Sequence, residues 1–348
     1  MKRIFIAALA ASVSTFAGAA LTASAQETVV KVGTARAISV GSTLYAIEKG
    51  YFKEAGIKLE MDYINSSADV MAMVAQGQYN IVEGGVSAGF FNAVDKNLPL
   101  KLVADRTSSP LYHNIMLRPE LKDKVKTIKD LKGRTIASNG PGSISTYEIG
   151  KVLESAGMSL ADVEIKVVPF TQMGIALKNG AVDAALLIPP FTYQVRDQGL
   201  GVMFIDPDDY QKPQPVSLAV NIVNTDWASK NPEIVKKYFV AYLKGVHAYC
   251  QAFHGGAPRQ EIIDLLVREK IETRPDVLNK YPWQSRDPNG RLNIASVLDV
   301  QNFYLAGKFI STKLPAERIV DSSYIDYAAK QVGPFVLENK DSKAKGCR

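Results

Sequence analysis

Hydrophobic and polar positions along this chain follow two periods, and from Val29 onward the two periods take turns. Stretches of two-residue period predict strands over 29–32, 58–64, 79–82 and 100–103, and stretches of helical period predict helices over 44–49, 69–76 and 87–94. Gly50 and Gly77 stop the first two of these helices. A second series follows the turn-like Thr107-Ser108-Ser109-Pro110, with strands over 114–117, 134–137, 163–168, 182–188 and 202–205 and helices over 144–156, 174–178 and 191–197. Strands alternating with helices predict a mostly parallel sheet covered by helices, so two such series predict an α/β protein with two lobes. A proline-rich passage, Pro207 to Pro215, leads into a strand over 218–223 and a long helix capped by Asn231 with Pro232 at its first position. That helix sets Ile234, Val235, Tyr238, Phe239, Tyr242, Leu243 and Val246 on one side, a spacing that reads as core packing. The last third is helical and too short for another sheet, so it is expected to rejoin the first lobe. The expected lobes are 26–109 with 216–348, and 110–215, crossed near 106–112 and 206–217.

The first residues change the picture of where the chain works. Lys2 and Arg3 precede an apolar run from Ile4 to Ala11 and small residues ending Ala23-Ser24-Ala25, the layout of a secretory signal peptide cleaved after Ala25. Ser12, Ser14 and Thr15 interrupt that run well short of the roughly 20 apolar residues of a membrane span, so a soluble periplasmic product is expected. Cleavage leaves 323 of 348 residues, 47% of the whole chain being hydrophobic, which is enough for two cores. The formal charge is +6, of which Lys2 and Arg3 supply two, leaving +4 and a mild lean toward anions. Lysines alternate with acids along the helices instead of clustering, which argues against nucleic acid as a partner. Cys250 and Cys347 can pair in an oxidising compartment, and their positions leave the pairing open. No His or Cys pair has ligand spacing, so neither a metal nor another cofactor is expected.

Candidate chemistry gathers in the strand-to-helix turns. Four of them carry small hydroxyl or glycine residues where a helix begins: Ser39 and Ser42, Ser66 and Ser67, Ser87, and Asn139 with Gly142 and Ser143. Such turns lie at the carboxyl ends of parallel strands, so three are expected on one lobe's edge and the fourth facing them. Helix N-termini hold unsatisfied amides with partial positive charge and can bind an anion without a buried lysine. Each serine can equally be an N-cap and nothing more. Phe170, Pro189 and Phe191 end strands with rigid apolar groups and are expected to wall the ligand. Arg36 and Arg106 are candidate forks for a carboxylate or sulfonate, each also readable as a solvated surface residue.

Four passages in order, Ala46-Ile47-Glu48-Lys49-Gly50-Tyr51-Phe52-Lys53-Glu54-Ala55-Gly56, Gly77-Gln78-Tyr79-Asn80-Ile81, Ile128-Lys129-Asp130-Leu131-Lys132-Gly133-Arg134 and Asn179-Gly180-Ala181-Val182-Asp183-Ala184-Ala185, carry a resemblance that runs from about residue 29 to about 250. They resemble the nitrate, sulfonate and taurine type of importer binding proteins, which is similar in turn to thiamine-precursor binding proteins. The resemblance implies a type II periplasmic-binding fold, a hinge of two strands, closure on a small solute and delivery to the permease of an ABC importer by a binding protein expected to be a monomer. Many relatives carry an acid directly before the proline that ends the strand matched here by Ala185 to Ile188, and it can pair with a ligand amine. This chain reads Ile188-Pro189-Pro190, which favours a carboxylate or sulfonate without an amine over taurine, while Phe170 and Phe191 suggest an apolar body open to an aromatic ring. The cysteine-rich motif of the pyrimidine-synthesis relatives is also missing. The competing reading is a secreted serine hydrolase, since Gly85-Val86-Ser87-Ala88-Gly89 fits the nucleophile-elbow pattern. It needs a base, and His113, His247 and His254 do not follow acid-bearing strand ends.

Overall fold

The computed structural model describes residues 27–348. The expected signal peptide and its cleavage point lie outside the described residues. Ten strands form two five-stranded sheets. β1 (Thr28–Ala35), β2 (Ile57–Ile64), β3 (Ile81–Gly85), β4 (Leu100–Ser108) and β10 (Ser217–Asn224) make the first, in the order β2-β1-β3-β10-β4. β5 (Asn114–Leu117), β6 (Thr135–Ser138), β7 (Glu164–Val167), β8 (Ala184–Leu187) and β9 (Val202–Ile205) make the second, in the order β7-β6-β8-β5-β9. Both sheets are mostly parallel, and each holds one reversed strand. β10 runs antiparallel to β3 and β4, and β5 to β8 and β9. Each reversed strand is the first that the chain forms after crossing from the other sheet, which it enters from the far end.

Helices of eight or more residues are numbered α1 (Gly41–Glu48), α2 (Ala88–Asp95), α3 (Ile144–Ser155), α4 (Phe170–Lys178), α5 (Pro232–Phe253), α6 (Arg259–Arg268), α7 (Ile294–Ala306) and α8 (Ser323–Val332). Successive strand residues point to opposite faces, so each sheet separates two cores. Ile81 and Val103 enter one core of the first sheet while Val82 and Leu102 enter the other. Met116 and Leu187 face one side of the second sheet, Ile115 and Leu186 the other. The stripe on α5 is core: Val235, Tyr238, Phe239, Tyr242, Leu243 and Val246 pack with residues of α1, α6 and α8 on one face of the first sheet. α7 covers the opposite face. Among the described residues no helix is long and apolar enough to cross a membrane.

Three departures from the sequence pattern bear on the site. β4 continues to Ser108, because Asp105, Thr107 and Ser108 pair with β10, and its buried end is polar, which an apolar alternation cannot reveal. β3 starts at Ile81 and runs through Glu83 to Gly85. Phe170 opens α4 instead of ending a strand. The two crossings lie side by side, Ser109 N donating to Val216 O at 3.2 Å and Val216 N to Ser109 Oγ at 3.1 Å.

Cys250 on α5 and Cys347 form a disulfide across 97 residues of sequence. The tail it holds returns along α5, with His254 Nε2 donating to the carbonyls of Gly346 and Cys347 at 3.1 and 3.2 Å. A cross-link over so long a loop removes much freedom from the unfolded chain. Cys347→Ser should therefore cost about 2–4 kcal/mol, read as a lower urea midpoint that reductant reproduces in the wild type and leaves unchanged in the variant.

Candidate functional site

A cleft lies between the sheets, where the carboxyl ends of the parallel strands of both face each other. It holds about 610 Å³ of empty space, part of it open to solvent. The first sheet contributes the turns after β1 and β2, the end of β3, Arg106 and Thr107 of β4, and the start of β10. The second contributes Asn139, Ser143, Ile144, Phe170 and Ile188, while His113 comes from the first crossing and Gln284 from the segment before α7. Ile64, Ile144, Ile188, Leu218 and the Phe170 ring make its walls largely apolar. Phe170 is backed by Phe191, the rings stacked with centroids 6.0 Å apart and planes 17° from parallel.

Of the residues expected from the sequence, Ser39, Ser66, Ser67, Asn139, Ser143, Phe170 and Arg106 line this cleft. Ser66 Oγ accepts from Ala68 N at 3.2 Å, Ser67 Oγ donates to Gly85 O at 2.5 Å, and Ser143 Oγ lies 3.1 Å from Ser138 Oγ. Their hydroxyls are thus spent on their own lobe. Among the described residues Ser39 Oγ has no partner and is buried, as are Thr107 Oγ1 and Gln284 Oε1, so three lining groups hold unmade hydrogen bonds there.

The other residues named from the sequence are not part of this lining. Ser42 turns away, donating to Ser39 O and accepting from the buried Arg286 guanidinium. Ser87 Oγ caps its own helix, accepting from Phe90 N at 3.3 Å, and the first amide of α2, Ala88 N, donates to Gly142 O at 2.9 Å. That helix N-terminus is therefore filled by the opposite lobe and is closed to a solute. Gly142 is left-handed at φ +61°, and a Cβ there would meet Ala88 Cβ at 2.8 Å, so it serves lobe contact. Pro189 gives its carbonyl to Ile38 N at 3.4 Å, across the cleft rather than into it. Phe191 is buried behind Phe170. Arg36 lies over the Tyr63 ring, 4.2 Å from its centroid, and donates to Lys270 O at 3.0 Å, off the cleft. Further links across the cleft run from Asn139 Nδ2 to Asn65 O at 2.9 Å and from Tyr304 OH to Ser143 O at 2.8 Å. The two lobes are closed on each other.

Two lining residues, Arg106 and His113, are paired with carboxylates behind the lining. Arg106, 2% exposed, donates from Nε to Glu83 Oε2 at 3.3 Å and also to Thr34 Oγ1 and Ala35 O. Glu83, fully buried, accepts in addition from Thr34, Thr43 and Tyr238 hydroxyls. Burial pushes the Arg106 pKa down, and Glu83 beside it opposes that shift. His113 Nδ1 lies 2.9 Å from Glu148 Oε1. Burial disfavours the charged imidazole most strongly, but Glu148 with Asp206 and Asp208 together outweigh it, and the His113 pKa rises above its ordinary value. Glu83, Thr107 and Gln284 escaped the sequence reading as site residues, and His113 entered it only as a candidate hydrolase base. Glu83 alone left a signal, as a lone acid in the apolar run Ile81-Val82-Glu83-Gly84-Gly85, which calls for hydrogen-bonding partners if it is buried.

The sequence model of the family described as NMT1/THI5 like matches residues 38–252, more than half of the chain and most of the cleft lining. The chain belongs to the NMT1/THI5-like family. Among curated relatives it is similar to the riboflavin-binding protein RibY of Chloroflexus aurantiacus, 29% identical over 207 residues, 58% of this chain and 56% of that one. It is also similar to the formylaminopyrimidine-binding protein of Halalkalibacterium halodurans, 27% identical over 210 residues, 60% of this chain and 62% of that one. The chain thus spans less than two thirds of the length of either relative. The crystal structure of the periplasmic nitrate-binding protein NrtA from Synechocystis PCC 6803 superposes with a TM-score of 0.73 over 92% of each chain at 16% identity. This NMT1/THI5-like chain therefore has the two-lobed type II periplasmic-binding fold that its passages resemble.

Proposed function

We propose that this chain is the solute-binding component of an ABC-type importer, exported to the periplasm, where it works as a monomer, closes on a small organic solute and delivers it to the membrane permease. The observation that carries the reading is the cleft itself, closed between two lobes with apolar walls and three buried hydrogen-bonding atoms left without partners. The lobes divide at 109/110 and 215/216, where the paired crossings form a hinge whose few residues absorb the rotation. Ser87 as a hydrolytic nucleophile is disfavoured, because its hydroxyl caps α2 while His113 faces Glu148 and Gln284, His254 faces the C-terminal tail and His247 packs on Phe335.

The solute is a planar, uncharged heteroaromatic compound. Phe170 backed by Phe191 offers a ring face, and Ser39, Thr107 and Gln284 offer edges to hydrogen bond. The curated relatives are named for riboflavin and formylaminopyrimidine, both of this kind. The organic anion expected from the sequence lacks a free cation, since Arg106 is matched by Glu83, and at the start of α2 Ala88 N is taken by Gly142 O and Phe90 N by Ser87 Oγ. Native mass spectrometry of the freshly purified protein, followed by calorimetry with riboflavin, formylaminopyrimidine, benzoate and an alkanesulfonate, tests this. Micromolar or tighter binding of a heterocycle is expected. Binding confined to the two acids would restore the anion and reject the heterocycle, and ester turnover lost on Ser87→Ala would reject the transport reading.

A further inference from the structure

Gln284 stands in the irregular stretch before α7, beyond the residues matched by the family. It lines the cleft, is 3% exposed, and its Oε1 has no hydrogen-bond partner. Its Nε2 lies 3.0 Å from His113 Nε2, and His113 Nδ1 lies 2.9 Å from Glu148 Oε1, which also accepts from Gln211 Nε2 at 3.3 Å. A carboxylate facing Nδ1 keeps a proton on that nitrogen whether the ring is neutral or charged, so the variable nitrogen is Nε2. When the ring is neutral, Nε2 accepts an N–H from Gln284 and the amide oxygen is left over. When the ring is charged, Nε2 donates, the amide turns its oxygen to it, and the NH2 is left over.

We infer that Gln284 is a specificity-determining residue of the cleft, presenting the solute with an acceptor when His113 is neutral and a donor when His113 is charged. This rests on the cleft being the solute site. The charged groups acting on His113 are Glu148 of α3 and Asp206 and Asp208 of the second crossing, all favouring the charged ring against burial. Arg106 lines the same cleft with its charge matched by Glu83. The change of sense is thus displaced upward from the pH at which a free imidazole titrates.

Riboflavin, whose N3–H is a donor, and its N3-methyl derivative, which lacks it, are the probes, titrated calorimetrically at one pH below and one pH above the His113 transition, which the ¹⁵N shifts of its ring locate. An acceptor at Gln284 should favour riboflavin about tenfold at the higher pH, the effect of one hydrogen bond. At the lower pH the preference should shrink to below about twofold, as the donor form no longer needs the N–H. Gln284→Met should leave a preference that no longer changes with pH, and Gln284→Glu, an acceptor in both states, should hold the preference at both. The ¹⁵N shifts of the His113 ring, followed through pH without solute, should move in Gln284→Met, which checks the coupling independently of binding. A pH-independent preference in wild type with riboflavin still bound would sink this inference and leave the cleft's function standing. Binding of neither probe nor formylaminopyrimidine would sink both.

Discussion

Gly150→Ala should weaken solute binding between about tenfold and about 100-fold while leaving the unliganded protein as stable as wild type. Gly150 lies in α3, and a Cβ built there would sit 2.1 and 2.3 Å from ring atoms of Phe303 on α7. The ring cannot swing away cheaply, because it packs edge-on against Tyr147 and Tyr304 and is nearly buried. α3 covers the second sheet and α7 the first, so on the proposed division into lobes this contact is made when they close. Ala is favoured over Gly inside a helix by roughly 1 kcal/mol, so the substitution strengthens α3 and penalises closure. Gly150 does not line the cleft, and no ligand contact is lost directly. Calorimetry measures the affinity and X-ray scattering the opening, expected as a larger radius of gyration with solute present. Unchanged affinity with a lower melting temperature would show that Gly150 serves packing within one lobe only.

The alternation of strands and helices was legible because each buried strand residue has a face to satisfy, as Ile81 and Val82 or Ile115 and Met116 do on opposite sides of their sheets. Hydrophobic period reports that directly. The turns were legible as places where helices begin, and Ser66, Ser87 and Ser143 do stand at such starts. What faces those starts was not legible. Gly142 fills the N-terminus of α2 from a distant part of the chain, and only closure of the lobes brings the two together. Arg106 shows the same limit from the other side. Its side chain is a plausible anion fork until Glu83, two strands away in the sheet, is seen to take it. Gln284 lies in a stretch with neither period, cap nor motif, and nothing local marks it as lining a cleft.

Glu83→Gln should destabilise the protein by about 3–5 kcal/mol, the cost of leaving a buried cation without its counter-charge. Arg106 and Glu83 are 2% and 0% exposed, so water cannot replace the lost charge. The carboxylate also gathers three hydroxyls: Thr34 from β1, Thr43 from α1 and Tyr238 from α5. An amide retains one acceptor and turns its NH2 toward groups that themselves donate, so part of this network is broken as well. The paired variant Glu83→Gln with Arg106→Met removes the stranded charge and should recover about half or more of the loss, since a buried ion pair is often worth little against a packed apolar substitute. Urea denaturation of the two singles and the double gives the coupling directly. If the double variant is no more stable than Glu83→Gln, the hydroxyl network around the carboxylate, and not the charge on Arg106, holds this floor of the cleft together.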